Sequence, residues 1–406
     1  MSGIAIDSDS SNLSPAQLVR EQADMLSAQL SAIREINYPP SSQKTMRVFN
    51  PQEAAKLLGI SGSTLRGIEE DKFREFRRDE RNNRTYSLEN LWEVRKILSE
   101  SGTASKWRKL LPTRSNGEKL QVLCVANFKG GSAKTTSATH LSQYLALQGL
   151  RVLVIDLDPQ ASLSSMFGLQ PDLDLEQNAT LYAAIRYDDE RVPIRSVIRK
   201  TYFHNLDLIP ANLELMEYEH QTPSAISSGA ASGDEIFFRS IHNAVQDVAD
   251  DYDVVIFDAP PQLGYLTLGA LFAATGVLVT VHPAMLDVSS MNQFLNMLAD
   301  LMQVIEENGG EMDLDFFRYL LTRHNPNDNP QIRCAALLRS LFPDNVLRNA
   351  VVESTAIANA GLENKSIYEI ERGAVGRQTL ERGLESVNAV NNEMFDLIKA
   401  AWGRDD

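Results

Sequence analysis

Nine consecutive residues, Phe128-Lys129-Gly130-Gly131-Ser132-Ala133-Lys134-Thr135-Thr136, bring two glycines, two lysines and three hydroxyl side chains to a strand-to-helix junction. Paired glycines let successive backbone N–H groups curl around an anion, and the N-terminus of the following helix adds a favourable dipole. Residues 129–136 therefore read as a phosphate cradle. Lys134 is placed to reach the β- and γ-phosphates of a nucleotide, and Thr135 to ligate Mg²⁺ through its hydroxyl. The ordinary phosphate-loop pattern is not met. It calls for glycine six residues before Lys134 and again just before it, where the chain has Phe128 and Ala133. Two acidic runs accompany the loop. Asp156-Leu157-Asp158-Pro159-Gln160 follows one apolar run, and Val254–Phe257 ends in Asp258 before Ala259-Pro260-Pro261. A carboxylate closing an apolar strand is the Walker B arrangement, which gives Asp258 a hold on Mg²⁺ through water. Asp156 and Asp158 also fall at a strand end, where open α/β sheets bind ligands.

Such a site needs a sheet to present it. Strand-like runs at Gln121–Asn127, Arg151–Ile155, Leu206–Pro210, Asp253–Phe257, Gly276–Val281 and Phe316–Thr322 alternate with helical patterns. The helical patterns include Thr135–Gln148, Glu235–Ala249, Asp287–Glu307, Gln331–Leu341 and Gln378–Trp402. The alternation predicts an α/β fold over residues 118–406, a mostly parallel sheet covered by helices as in P-loop NTPases. The Ser/Ala/Gly-rich stretch Gln221–Gly233 reads as a mobile loop, and Lys106–Lys119 as a linker.

Two blocks precede that domain. In residues 1–40, Ser14-Pro15-Ala16-Gln17 starts a helix carrying Val19, Ala23, Leu26, Leu30 and Ile33 as a narrow apolar stripe, a candidate dimerisation arm or a single amphipathic helix. Residues 41–112 place Ala55, Gly59 and Leu65 at the offsets of a helix-turn-helix: a small residue at the crossing, a residue tolerant of positive φ, and an apolar anchor. Phe73–Arg78, a polar turn at Asn82-Asn83, and Arg84-Thr85-Tyr86-Ser87-Leu88-Glu89 follow, with Ser87 able to cap a further helix. This block resembles the winged helix-turn-helix of MerR-like proteins. The helix beginning at Ser61 should enter a major groove. Ser61, Ser63, Thr64 and Arg66 then face bases or phosphates, and Arg77, Arg78 and Arg84 meet phosphates in or beside the wing.

The spacing Lys129-Gly130-Gly131-x-x-Lys134-Thr135 resembles the deviant Walker A box of the ParA/MinD ATPases, and the resemblance covers about residues 120–400. It implies an ATP/ADP- and Mg²⁺-dependent, weakly hydrolysing homodimer. Lys129 would cross the nucleotide sandwich to the partner's phosphates, Asp158 would position or activate the attacking water, and Asp156 would support the lysines and the metal shell. Asp258-Ala259-Pro260-Pro261 resembles the segment that senses the γ-phosphate. The N-terminal extension makes the whole chain similar to the large plasmid partition members, most of all those of repABC replicons. That implies non-specific nucleoid DNA binding by the ATP-bound dimer, a ParB-type centromere-binding partner that stimulates hydrolysis, and autorepression through the operator. Arg323, Arg339, Arg348, Arg372 and Arg377 are the candidates for the non-specific surface. The alternative is a nucleotide-sensing transcriptional regulator without partition activity.

Composition narrows the field further. Lys and Arg number 39 against 54 Asp and Glu, a net charge of −15, which taken alone argues against DNA binding. The mean hides a distribution: residues 41–110 hold 15 basic and 10 acidic side chains, residues 1–40 are net −3, and the remainder is net −17. Cys124 and Cys334 read as buried thiols, and the six histidines lack metal-ligand spacing. The acidic residues of Gln378–Trp402 suit packing better than an anionic membrane, no apolar run approaches the roughly 20 residues of a membrane span and Met1–Asn12 lacks a signal pattern, so the expectation is a cytoplasmic protein with no membrane partner, and nucleoid association is what the resemblance implies.

Overall fold

The computed structural model describes residues 14–37, 44–72, 82–100, 110–127, 129–233, 236–371 and 373–404. Helix α1 (Pro15–Asn37) belongs to a unit of its own. The Gln17 amide donates to Ser14 Oγ at 3.3 Å and the Ser14 amide to Gln17 Oε1 at 2.9 Å, the reciprocal cap that the sequence suggests. Val19 and Leu26 of its stripe are exposed; the side chains of Leu30 and Ile33 lie outside the described residues.

The second unit runs from Thr45. Helix α2 (Pro51–Leu58) starts at Asn50, whose Oδ1 accepts from the Gln52 and Glu53 amides while the Glu53 carboxylate accepts from the Asn50 amide. It stops at Gly59, whose φ of 65° is a left-handed conformation that a side chain would strain. Helix α3 (Gly62–Lys72) follows and packs on α2, with Leu65 buried. Phe49 and Tyr86 exchange backbone hydrogen bonds of 2.8 and 2.9 Å as one antiparallel bridge. Ser87 then caps α4 (Leu88–Glu100), whose Leu91, Val94 and Leu98 are buried. Arg77 and Arg78, expected in the wing, lie outside the described residues, as does Phe128.

The sheet has seven strands in the order β3-β4-β2-β5-β1-β6-β7. They are β1 (Gln121–Ala126), β2 (Val152–Asp156), β3 (Arg199–Lys200), β4 (Leu206–Ile209), β5 (Val254–Asp258), β6 (Gly276–Val281) and β7 (Phe316–Leu321). All neighbours are parallel except β3 with β4. The six expected strands form within a residue or so of their predicted bounds; the two-residue edge strand β3 carries no periodicity to read. Every residue of β1, β2, β4, β5 and β6 is buried, as required of a parallel sheet covered on both faces.

The covering helices are α5 (Lys134–Leu147), α6 (Ser162–Met166), α7 (Leu215–Ser228), α8 (Phe237–Gln246), α9 (Tyr265–Ala273), α10 (Met285–Glu307), α11 (Asn329–Leu341), α12 (Thr355–Leu362) and α13 (Arg377–Ala401). Helix α5 is buried nearly all round, between the sheet, α13 and residues 45–112. Helix α13 spends its apolar side chains Leu380, Val387, Val390, Met394 and Ile398 on that core.

Two expectations are corrected. Gln221–Ser228 is helical rather than a loop. Helix α7 buries Tyr218, Thr222 and Ala225, tolerates Pro223, and ends only at Gly229, φ 79°. Tyr187 stacks on Tyr218 at 5.5 Å and its hydroxyl pairs with Thr222, so tertiary packing overrides the Ser/Ala/Gly composition. The second correction concerns the described part of the linker, residues 110–119, which is pinned. Arg404 donates to the carbonyls of Pro112 and Thr113 at 2.9 Å, and the Arg114 amide donates to Asp253 at 3.0 Å.

Residues 45–112 and the α/β domain also share one apolar cluster, in which Leu58, Leu65 and Val94 join Leu141, Leu145 and Val390. Arg95 is buried across that junction. Its guanidinium donates to the carbonyls of Leu57 and Leu110 at 2.8 Å and of Leu147 at 2.9 Å. Burial lowers its pKa to about 10, and three carbonyl acceptors, two of them near the ends of α2 and α5, stand where a carboxylate would otherwise be needed.

Candidate functional site

The ends of β1, β2 and β5 lie side by side. Asp156 and Asp258 are register partners across β2 and β5, and Val125 of β1 partners Asp258 on the other side. The loop after β1 is fixed at several points. Asn127 Oδ1 accepts from the Lys129 amide at 3.0 Å, and Asn127 Nδ2 donates to the Thr280 carbonyl. Thr280 Oγ1 donates to Ser132 Oγ at 3.0 Å, and Thr322 Oγ1 donates to the Ser132 carbonyl at 3.0 Å. Hydroxyls at the ends of β6 and β7 thus hold the middle of the loop, and Ser132 is buried.

Gly131 at φ 75° and Ala133 at φ 68° both take left-handed conformations, and Ala133 leads into α5. Ala133 keeps the conformation that glycine adopts freely, with a strain of about 1–2 kcal/mol held by the surrounding bonds. Gly130 and Gly131 are exposed at the loop surface, and Thr135 and Thr136 are half-buried in the first turn of α5.

Lys134 is buried, with its ammonium 3.5 Å from the Lys129 carbonyl. Desolvation lowers its pKa, and the nearby carboxylates of Asp258 and Asp158 oppose that shift. Lys129 is partly exposed and its ammonium pairs with Asp287 in the first turn of α10, Nζ to Oδ2 2.9 Å.

The three acids have different environments. Asp156 is fully buried and its oxygens are engaged: Oδ1 accepts from the Asp158 amide at 3.1 Å, and Oδ2 accepts from the Ser164 amide and hydroxyl at 2.9 and 2.7 Å. It therefore organises the loop that presents Asp158, which is half-buried and caps the Gln160 amide at 3.0 Å. Asp258 is fully buried, and among the described residues neither of its oxygens has a hydrogen-bond partner. The Thr135 hydroxyl sits beside it without reaching normal hydrogen-bond geometry. Burial first, then the neighbouring Asp156 charge, pushes the Asp258 carboxyl well above the usual range, while Thr135 and Lys134 pull the other way.

An orphaned carboxylate next to a hydroxyl at a phosphate loop is a hard-oxygen donor set that fits Mg²⁺. Among the described residues no group of three or more His, Cys, Asp or Glu forms a cage of its own.

The second set of predicted residues lies on α3. Ser61 caps it: Oγ accepts from the Thr64 amide at 3.0 Å and pairs with the hydroxyls of Ser63 and Thr64 at 2.8 Å. Ser61, Ser63 and Arg66 are exposed on one surface, with Arg66 Nε donating back to the Gly62 carbonyl at 3.2 Å. Arg84 is half-buried beside the Phe49–Tyr86 bridge. Of the C-terminal arginines, Arg323 and Arg348 are exposed, Arg339 donates to the Arg348 carbonyl, Arg377 pairs with Glu381, and Arg372 lies outside the described residues. Both cysteines are buried free thiols, and burial pushes Cys124 up to about 12. His140 accepts a backbone hydrogen bond from Ile367 in the core, where desolvation lowers it to about 4.

Sequence reasoning missed Asn127, Ser164, Thr280, Thr322 and Asp287. Asn127, a polar residue ending an apolar run before glycines, carried a signal. The threonines look like ordinary β-branched strand residues.

Comparison with known proteins fits this geometry. A family model described as an AAA domain matches residues 120–308. A Rhizobium rhizogenes protein described as replication protein A is 51% identical over 388 residues, covering 95% of each chain. Protein SopA of Escherichia coli (strain K12) is 30% identical over 374 residues, 89% of this chain and 92% of its own. A solved partition protein shares the fold at a TM-score of 0.65 and 21% identity, over 95% of this chain and 99% of its own. No helix among the described residues is long and apolar enough to cross a membrane. With the Lys129-Gly130-Gly131-x-x-Lys134-Thr135 loop seated on this sheet, the chain belongs to the ParA family of plasmid partition proteins, in its replication-protein-A (repABC) branch.

Proposed function

We propose that the protein is an ATP-hydrolysing plasmid partition protein whose ATP-bound dimer binds nucleoid DNA without sequence preference. The observation that carries the reading is the convergence of Lys134, Asp258 and the Asp158 loop on adjacent strand ends around a phosphate cradle. The backbone N–H groups of residues 130–135 receive the phosphates, and Lys134 neutralises the β/γ charge. Thr135 and Asp258 would hold Mg²⁺, which would supply charge stabilisation for phosphoryl transfer. Asp158 orients the attacking water, and Asp156 keeps Asp158 in place through the 3.1 Å bond to its amide. Lys129 reaches the partner's phosphates as a cationic finger across the dimer.

In the same proposal, residues 41–112 act as a winged helix-turn-helix that reads the operator and represses the operon. The exposed Ser61–Arg66 surface of α3 enters the major groove, and Arg84 backs it at a phosphate. A ParB-type partner on the centromere stimulates hydrolysis and releases the dimer from DNA.

Turnover measured with and without DNA and the cognate centromere-binding protein tests the enzyme reading. Lys134→Ala should lose ATP binding. Asp158→Ala should keep binding and dimerisation while losing at least tenfold in turnover. A native protein that never turns over under any of these conditions is a nucleotide-sensing regulator instead, and unchanged turnover in Asp158→Ala removes that residue from its role.

A further inference from the structure

We propose that Asp287 is a positioning residue: it holds Lys129 within its own protomer and so sets the threshold for dimer closure. The proposal rests on the reading of Lys129 as the lysine that crosses to the partner's phosphates. A lysine committed to that role must be free to leave its protomer, yet here its ammonium sits 2.9 Å from Asp287 Oδ2. The start of the loop is fixed by the Asn127 bond to the Lys129 amide, so the side chain is the part that can exchange partners. The two groups differ in how tightly they are set. Asp287 is 14% exposed, in the first turn of α10, where the helix N-terminus favours a carboxylate whether or not a lysine is present. Lys129 is 36% exposed and sits at the far end of a flexible stem.

The same turn carries Met285 and Leu286, 64% and 78% exposed. A second copy of this chain facing the strand ends would cover both. Excluding water there weakens screening and strengthens whichever ionic contact Lys129 then makes. Triphosphate oxygens carry more charge than one carboxylate, so Lys129 exchanges Asp287 for phosphate only when a nucleotide-loaded partner is present. Each closure must break two such pairs, one per protomer. A partly exposed pair of this kind shifts an equilibrium about 1.5- to 5-fold, so two of them shift the dimerisation constant by about 2- to 25-fold.

The test is sedimentation velocity of the full chain with ATP and Mg²⁺, and without nucleotide. D287N should tighten the ATP-dependent dimer by about 2- to 25-fold and leave the nucleotide-free protein unchanged. Asp287→Ser carries the same expectation and serves should D287N not fold. Lys129→Ala should lose the ATP-dependent dimer, and adding D287N to it should restore nothing. A D287N dimer no tighter than native overturns the proposal. So does a gain that persists without Lys129, because Asp287 would then act on the nucleotide by its own charge. In both of those outcomes Lys129→Ala stays defective. A Lys129→Ala protein that dimerises like the native chain instead sinks the crossing-lysine reading, and the proposal with it.

Discussion

At the scale of single residues, Asp258 is a costly group to bury. Its carboxyl is fully buried, both oxygens lack partners among the described residues, and its pKa lies well above the usual range. An unfolded aspartate ionises near pH 3.9. Because the folded pKa is raised, the native state disfavours the charged form, and stability falls as pH rises from about 4 through the folded pKa. Asp258→Asn removes that slope. Calorimetry of the nucleotide-free variant should show a gain of about 1–3 kcal/mol near pH 8, a few degrees in melting temperature, that vanishes towards pH 4. The same variant should lose Mg²⁺-dependent nucleotide binding. A melting temperature no higher than native at pH 8 contradicts the account. Lys134 and Asp258 are legible in the sequence because each belongs to a contiguous run with its own chemistry. Ser164 and Asp287 are not. Ser164 stands eight residues from the carboxylate it satisfies, and Asp287 lies far along the chain from Lys129, so only the folded sheet makes them neighbours.

At the scale of elements, the apolar strands and the capped helices announce themselves, while elements that depend on packing do not. Helices α2 and α4 carry their own stop and start residues, Gly59 and Ser87. Helix α7 has a mid-helix proline and a Ser/Ala/Gly tail, and is held by the Tyr187–Tyr218 stack and Thr222. One further tie is Glu219 of α7, whose oxygens accept from the Tyr265 and Leu266 amides at 2.9 Å, capping α9 behind the Asp258–Pro261 segment. Gly264 makes room for it, since a Cβ there would lie 2.4 Å from that carboxylate. Helix α3 is judged by what it leaves uncovered. Arg66 is exposed, with its Nε bonded to the Gly62 carbonyl. Arg66→Ala should weaken specific operator binding by about 1–3 kcal/mol while leaving ATP turnover intact. A footprint upstream of the gene checks it, and an unchanged footprint places the reading surface elsewhere.

At the scale of the whole molecule, the net charge of −15 is unevenly spread along the chain. The net charge of residues 41–110 is positive, and any basic surface of the α/β domain has to be local, with a strong dependence on salt if several phosphates are contacted. The described residues from Thr45 to Glu100 are not a tethered accessory, because the core is continuous from Leu58 to Val390 and Arg95 joins three chain segments. Arg95→Met should strand the carbonyls of Leu57, Leu110 and Leu147, at a net cost of about 2–4 kcal/mol. The native unit from Thr45 onward should melt in one transition, which in the variant should split in two, the first belonging to the helices before β1. A single transition at the native temperature in that variant would mean that the shared apolar cluster alone couples them. The placement of Arg95 also bears on heredity. A recombination that joins one relative's first 100 residues to another's remainder sets Leu58, Leu65, Val94 and Arg95 against a foreign α5 and α13, and the shared apolar cluster has to repack. The portion that can be exchanged intact is then the unit from Thr45 onward, so the helices before β1 and the phosphate loop after it are inherited together.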